Sequence, residues 1–331
     1  MSGSLKPLRE QVVVITGASS GIGLVTAKAA AKRGAKVVLV ARNEPALSDA
    51  VAEITAAGGT ADYAVADVGI AGQVAAAAAK AVARFGRIDT WVNDAGVAIY
   101  AKLLETPLDE HERLFQTNYF GVVNGVAAAV PHLRGGGALV TVASIAADIP
   151  TPILGAYAAS KHAVKAFIES LRIELTTDAP QISITLIKPS GIDTPIGQHA
   201  ANHGDGEAKI PAPVYDPQLV ADAILDAAEH RRRDITVGGA GRAQVLVGTH
   251  FPQLAERLGG VLAPMMFDRT RPGTVGDALF SSPREGRERS GTQPGRRTSL
   301  YTAAQLHPAA AAAIGLAAVA GLVGMVTARR R

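Results

Sequence analysis

Thr16-Gly-Ala-Ser-Ser-Gly-Ile-Gly23 narrows the fold of this chain more than any other segment. Before it runs Gln11–Ile15, short, apolar and β-branched; after it comes Leu24–Arg33, rich in Ala. Strand, glycine-rich turn and helix in that order make a dinucleotide-binding context, where backbone N–H groups and a helix N-terminus face a pyrophosphate. The spacing is G-x-x-x-G-x-G, through Gly17, Gly21 and Gly23, and not the commoner G-x-G-x-x-G. In isolation the same letters would also suit a βα turn that merely needs flexible glycines.

The rest of the chain repeats that alternation. Val12–Ile15, Val37–Val40, Ala61–Ala66, Ile88–Val92, Ala138–Val142, Ile182–Ile187 and Ile235–Val237 read as strands, with Ala-rich helical stretches between them. The pattern predicts an α/β, Rossmann-like, doubly wound parallel sheet of about seven strands, with ligands at the carboxyl ends of the strands. Thr16, Asp67, Asn93, Ser144 and Pro189 each fall at or just after a strand end, which places them at one shared site.

Tyr157-Ala-Ala-Ser-Lys161 sets a phenol and an ammonium four residues apart, on one face of a helix. A nearby ammonium favours phenolate, so the Tyr157 pKa is expected to fall from about 10 towards neutrality. A phenol tuned in that way exchanges a proton with an alcohol or ketone near neutral pH.

These segments together resemble the short-chain dehydrogenase/reductase family over roughly residues 7–240. The family's T-G-x-x-x-G-x-G stands as Thr16–Gly23, its Asp after the third strand as Asp67 in Ala66-Asp67-Val68, and its N-N-A-G as Asn93-Asp94-Ala95-Gly96. Its active-site Asn stands as Asn118, its Ser as Ser144, and its P-G-x-x-x-T as Pro189-Ser190-Gly191-Ile192-Asp193-Thr194. The resemblance implies Tyr157 as general acid in reduction and general base in oxidation, with Lys161 lowering its pKa and holding the nicotinamide ribose. It implies Ser144 as donor to the substrate oxygen and Asn118 as the residue that positions a water linking Lys161 to solvent. The implied cofactor contacts add Ser19, Ser20, Ile22, Val68, Ala95, Gly96, Ile192 and Thr194, with Asp67 accepting from the adenine amino group. No metal is required by direct hydride transfer. Two positions depart from the pattern: Asp94 replaces an Asn and adds an ionisable group, and Ser190 replaces a Gly in the turn that leads to Thr194.

Cofactor choice is read from the end of the second strand, Val37-Val-Leu-Val-Ala41-Arg42. An acidic residue there would accept from a ribose 2′-OH; Arg42 instead offers charge-assisted bonds to a 2′-phosphate, which favours NADP(H) over NAD(H).

Composition bounds the remainder. Apolar residues make up 48% of 331 residues while aromatics make up 4%, so the core is expected to be built from close Ala, Val and Leu contacts. The absence of Cys excludes disulfides and thiolate metal sites, in keeping with a cytoplasmic catalytic domain. No signal peptide is recognised, and a net charge of +4 without a basic aromatic stripe gives no expectation of nucleic-acid binding.

Residues 1–240 are expected to form the catalytic and cofactor-binding domain, within which the polar Gly197–Pro213 segment is either a mobile substrate lid, as in the family, or a disordered loop. His199 and His203 in that segment lack the partners of a metal site. Residues 241–268 are expected to add one helix, Gly241–Leu262, and 269–306 a disordered linker of Pro, Gly, Ser and Arg. Residues 307–331 form an apolar tail in which Ala309–Ala328 carries no charge and is long enough to span a bilayer, ending on Arg329-Arg330-Arg331. The run is mostly Ala and Gly, so a helix lying in the interface or packing in solution are alternatives.

The expected activity is NADP(H)-dependent interconversion of an alcohol and a ketone or aldehyde, on a small molecule that is apolar or lipid-derived, by a homo-oligomer held at a membrane through its tail. The alternatives are a soluble reductase of small carbonyl compounds and a non-catalytic dinucleotide sensor on the same fold.

Overall fold

The seven apolar runs fold as seven strands, β1 (Val12–Thr16), β2 (Lys36–Ala41), β3 (Thr60–Val65), β4 (Thr90–Asn93), β5 (Gly137–Val142), β6 (Ile182–Pro189) and β7 (Asp234–Val237). The structure, a computed structural model, describes residues 5–273, 278–282 and 286–313. All strand pairs of this sheet are parallel, in the order β7-β6-β5-β4-β1-β2-β3. The order reverses between β1 and β4, which opens a crevice at their carboxyl ends.

The first helices are α1 (Gly21–Lys32), α2 (Glu44–Ala56), α3 (Ala71–Phe85), α4 (Leu108–Phe115), α5 (Gly121–Leu133) and α6 (Gly155–Asp178). They are followed by α7 (Pro217–Glu229), α8 (Gly239–His250), α9 (Pro252–Leu262) and α10 (Leu300–Leu306). Val13 and Ile15 of β1 point into a cluster shared with α1, α2 and α7, while Val14 points into the opposite one, shared with α3, α5 and α6. Both faces of the strand are therefore covered, as its unbroken apolar run requires. Small side chains let the layers approach closely: Ala27, Ala30, Ala223 and Ala227 are all fully buried in the first cluster.

Two expectations need correction. The helix expected over Gly241–Leu262 is two helices, α8 and α9, meeting at Phe251-Pro252, where Pro252 has no N–H to continue the ladder. The linker over 269–306 is not wholly without structure. Its carbonyl groups accept from Arg42, Arg113 and the Gly21 N–H, Arg289 pairs with Asp216, and α10 packs beside β7. Gln305 brackets Thr236 of β7 on both sides, and the Thr302 hydroxyl accepts the Gly238 N–H at 3.0 Å. A polar sequence concealed these bonds because most of them use main-chain acceptors, which leave no side-chain pattern.

The apolar run Ala309–Ala328 lies outside the described residues from position 314 onward, and residues 308–313 are helical. No helix among the described residues is long and apolar enough to cross a membrane. The Gly197–Pro213 segment contains a one-turn helix, Ile196–His199, and two short bridged stretches, 201–202 beside 99–100 and 207–208 beside 267–268. Its His203 ring lies 2.9 Å from a Glu110 carboxylate oxygen.

Candidate active site

The glycine turn after β1 takes its shape from two contacts that side chains would prevent. Gly17 has φ of +73°, and a Cβ there would lie 2.7 Å from Ala95 Cα; one on Gly23 would lie 2.5 Å from the Gly17 carbonyl oxygen. The turn is thereby pressed against the loop after β4, and α1 starts directly behind it. Thr16 fastens the same junction: its hydroxyl accepts the N–H groups of Asp94 at 3.1 Å and Ala95 at 3.3 Å.

Of the residues expected at the site, all except Thr16, Gly23, Asn93 and Asn118 line one cavity of about 890 Å³ along the carboxyl edge of the sheet. Those four stand behind its wall. Asn93 accepts the Trp91 indole N–H at 2.8 Å and donates to Thr141, so it joins β4 to β5. Asn118 sits in a π-helical turn, Gln116–Phe120, between α4 and α5. Its amide donates to the Val97 carbonyl and to Ser160 Oγ, and its oxygen accepts the Val97 N–H at 2.8 Å. Gly96 separates it from Lys161: a Cβ there would be 3.5 Å from Asn118 Oδ1 and 3.7 Å from Lys161 Nζ.

Ser144 follows β5 and accepts the Ala146 N–H at 3.1 Å, while its hydroxyl is also bonded to Tyr157. Tyr157 lies in the first turn of α6, and Lys161 one turn on. The ammonium is buried, donates to the Val142 carbonyl at 3.0 Å and lies 5.6 Å from the Tyr157 ring centre.

The expected fall of the Tyr157 pKa is not seen in this structure. Burial pushes the phenol up to about 12; the Ser144 hydrogen bond opposes this, and the Asp94 charge adds to it. Burial likewise brings Lys161 down to about 8, against the pull of Asp94. Sequence spacing identified the pair but not the low-dielectric wall around it, nor the carboxyl group that faces it.

Asp94 is the unexpected participant. Burial raises its pKa to about 7, opposed by Lys161 and by a hydrogen bond from the Gly23 N–H. The acid thus connects the turn after β1 to the ammonium of α6. Ser190, the other departure, donates to the Val237 carbonyl at 2.9 Å. Space for its side chain exists because positions 238 and 241 are Gly, where a Cβ would come within 2.0 Å and 2.5 Å of Ser190.

At the far end of the cavity Arg42 follows β2, its guanidinium bonded to the carbonyls of Ala278, Leu279 and Ser281. Asp67 accepts from Gly69 N–H and from Arg113, and Arg113 also donates to the Leu279 carbonyl at 2.7 Å. Sequence reasoning missed Arg113, which stands 46 positions from Asp67 and belongs to no motif. It also missed Tyr100, buried in the cavity wall, whose phenol is pushed far above its usual range by burial and then by Tyr157. Pro189, Ile192 and Thr194 line the cavity from the end of β6 and the loop after it, and a Cβ on Gly21 would lie 3.4 Å from Thr194 Cβ.

A family model described as "short chain dehydrogenase" matches residues 11–204. The chain is 41% identical over 341 aligned positions to "Uncharacterized oxidoreductase YxnA" of Bacillus subtilis (strain 168), covering 98% of this chain and 92% of that protein. Among solved structures, a short-chain dehydrogenase/reductase from Burkholderia phymatum in complex with NAD superposes with a TM-score of 0.69 at 28% identity, over 76% of this chain and 96% of that one. An alcohol dehydrogenase from Thermococcus sibiricus complexed with 5-hydroxy-NADP gives 0.61 at 26% identity, over 69% and 95%. With the family's motifs assembled around one cavity, this chain belongs to the short-chain dehydrogenase/reductase family of oxidoreductases.

Proposed function

We propose that the protein is an NADP(H)-dependent oxidoreductase that interconverts an alcohol with a ketone or aldehyde. The observation that carries this reading is the meeting of Ser144, Tyr157 and Lys161 in the wall of the cavity that the glycine turn also lines. The turn fits the phosphate end of a dinucleotide: its glycines keep the backbone bare, and α1 starts behind it. A bound nicotinamide would supply or accept the hydride at the substrate carbon.

Tyr157 then delivers its phenolic proton to the carbonyl oxygen in reduction, or receives the alcohol proton in oxidation. Ser144 donates to the same oxygen where charge develops. Lys161, held by the Val142 carbonyl, favours the phenolate left on Tyr157 after proton delivery and would hold the nicotinamide ribose of a bound cofactor. Asn118, through Val97 and Ser160, fixes the turn beside Lys161 and keeps one oxygen lone pair for the water that returns the proton.

Ala41 and Arg42 at the end of β2 provide a cation and no carboxylate where a 2′-phosphate would lie, which supports NADP(H) over NAD(H). Apolar walls from Ile149, Leu154, Ile196, Val247 and Leu258 support an apolar substrate. Membrane association through Ala309–Ala328 rests on that run of sequence alone. Assembly into a homo-oligomer through α5 and α6 is expected by analogy with the family.

The experiment is NADPH and NADH oxidation by the purified protein against steroid, retinoid, long-chain acyl and small sugar carbonyls. The reading expects turnover of an apolar carbonyl, with NADPH preferred. Turnover confined to sugar carbonyls would remove the substrate class, and a higher kcat/KM with NADH would remove the cofactor preference.

A further inference from the structure

Residues 278–282 and 286–290 meet the cofactor end of the cavity, and their main chain fills two donors that the proposed function assigns to phosphate. Ala278 is anchored by its N–H to the His199 carbonyl, and Leu279 is buried among Val97, Ile99 and Leu114. This anchoring turns the carbonyls of Ala278, Leu279 and Ser281 onto the Arg42 guanidinium. Farther on, the Arg287 carbonyl accepts the Gly21 N–H at 2.8 Å, at the N-terminus of α1. A Cβ on Gly286 would come within 3.0 Å of the Ser19 carbonyl oxygen, so the strap lies directly on the glycine turn.

The strap is latched outside the cavity. Arg289 holds both oxygens of Asp216 at 3.0 Å, Glu288 meets Lys28 at 2.9 Å, and the Ser290 N–H and hydroxyl both donate to one Asp193 oxygen. None of these three strap residues lines the cavity.

We propose that residues 278–282 and 286–290 act as a built-in competitor for the phosphate groups of the dinucleotide, setting cofactor specificity by opposing a 2′-phosphate more strongly than a 2′-hydroxyl. The proposal rests on the reading of the cavity as a dinucleotide site. Carbonyl oxygens carry partial negative charge and occupy both terminal nitrogens of Arg42, so a 2′-phosphate that takes that terminal pair has to replace them. A ribose 2′-hydroxyl makes no such demand and can donate to a strap carbonyl. Displacement at Gly21 is common to both dinucleotides, so it weakens both alike. Occupancy by the strap lowers the fraction of molecules competent to bind, and apparent affinity falls by that fraction.

The test is fluorescence titration and stopped-flow association of NADPH and of NADH with full-length protein, wild type against Glu288→Gln/Arg289→Ala. Loosening the latch is expected to tighten NADPH about five-fold and NADH at most about two-fold, with faster association of NADPH. Ser290→Ala, which weakens the same strap through Asp193, is expected to act in the same direction should the double variant not fold. Unchanged NADPH binding, equal gains for both dinucleotides, or weaker binding in the variants would overturn the proposal while leaving the dinucleotide site in place. If wild type binds neither dinucleotide, the underlying reading falls, and the competition with it.

Discussion

Asp94 is the residue at which this chain departs furthest in chemistry from the pattern it otherwise keeps. An acid held protonated up to about pH 7 in the fold, against 3.8 ordinarily, binds more protons folded than unfolded between those values. Its contribution to stability is therefore complete below the lower value and is lost as pH rises through the upper one. Asp94→Asn keeps an oxygen for the Gly23 N–H and removes the ionisation. Urea melts without added dinucleotide should show the variant about 1–3 kcal/mol more stable than wild type near pH 8, and equal to it near pH 4. The same difference at both values would contradict this. Removing a charge that raises Tyr157 should also move the ascending, acid-side limb of the alcohol-oxidation profile to lower pH, as read from kcat/KM against pH. The Tyr157/Lys161 spacing was legible in the sequence, because four residues on a helix fix a common face. Their protonation was not, because it depends on burial and on a carboxyl group delivered by another strand end.

At the scale of elements, legibility followed burial. The inner strands could be read because a parallel strand covered on both faces must be apolar throughout, while the edge strand β3, Thr60–Val65, is half-exposed and was legible from its place in the alternation of strands and helices. The split between α8 and α9 at Pro252 and the strap beyond residue 277 could not, one because apolar spacing continued across the break, the other because carbonyl acceptors have no residue signature. The element α10 follows from this second lesson: it reads as linker, yet it closes the edge strand β7. Thr302 is buried and accepts the Gly238 N–H. Thr302→Val keeps the shape and orphans that donor, so denaturant unfolding should show a loss of about 1–3 kcal/mol. A change below about 0.5 kcal/mol would mean that α10 is not part of the folded unit. For the same reason, removal of the apolar tail is cleaner after residue 313 than after Arg297, which would also delete α10.

Across the whole molecule, the sheet order brings strand ends from distant parts of the sequence to one edge, and the cavity lies along that edge. The surface suggests how copies would meet: Phe120 beside α5 and Ile173 on α6 are exposed, and these elements also carry Asn118 and Tyr157. Ile173→Glu should shift light-scattering mass toward the monomer if that face is the contact; an unchanged assembly would place the contact elsewhere. The central claim is that Tyr157 moves the proton in a dinucleotide-dependent reduction. Tyr157→Phe removes only the hydroxyl from the cavity wall, so the decisive measurement is carbonyl reduction by this variant beside dinucleotide titration of the same preparation. Turnover should fall at least about a hundred-fold while the dissociation constant for NADPH stays within about two-fold of wild type. A variant that retains near-wild-type turnover would contradict the account.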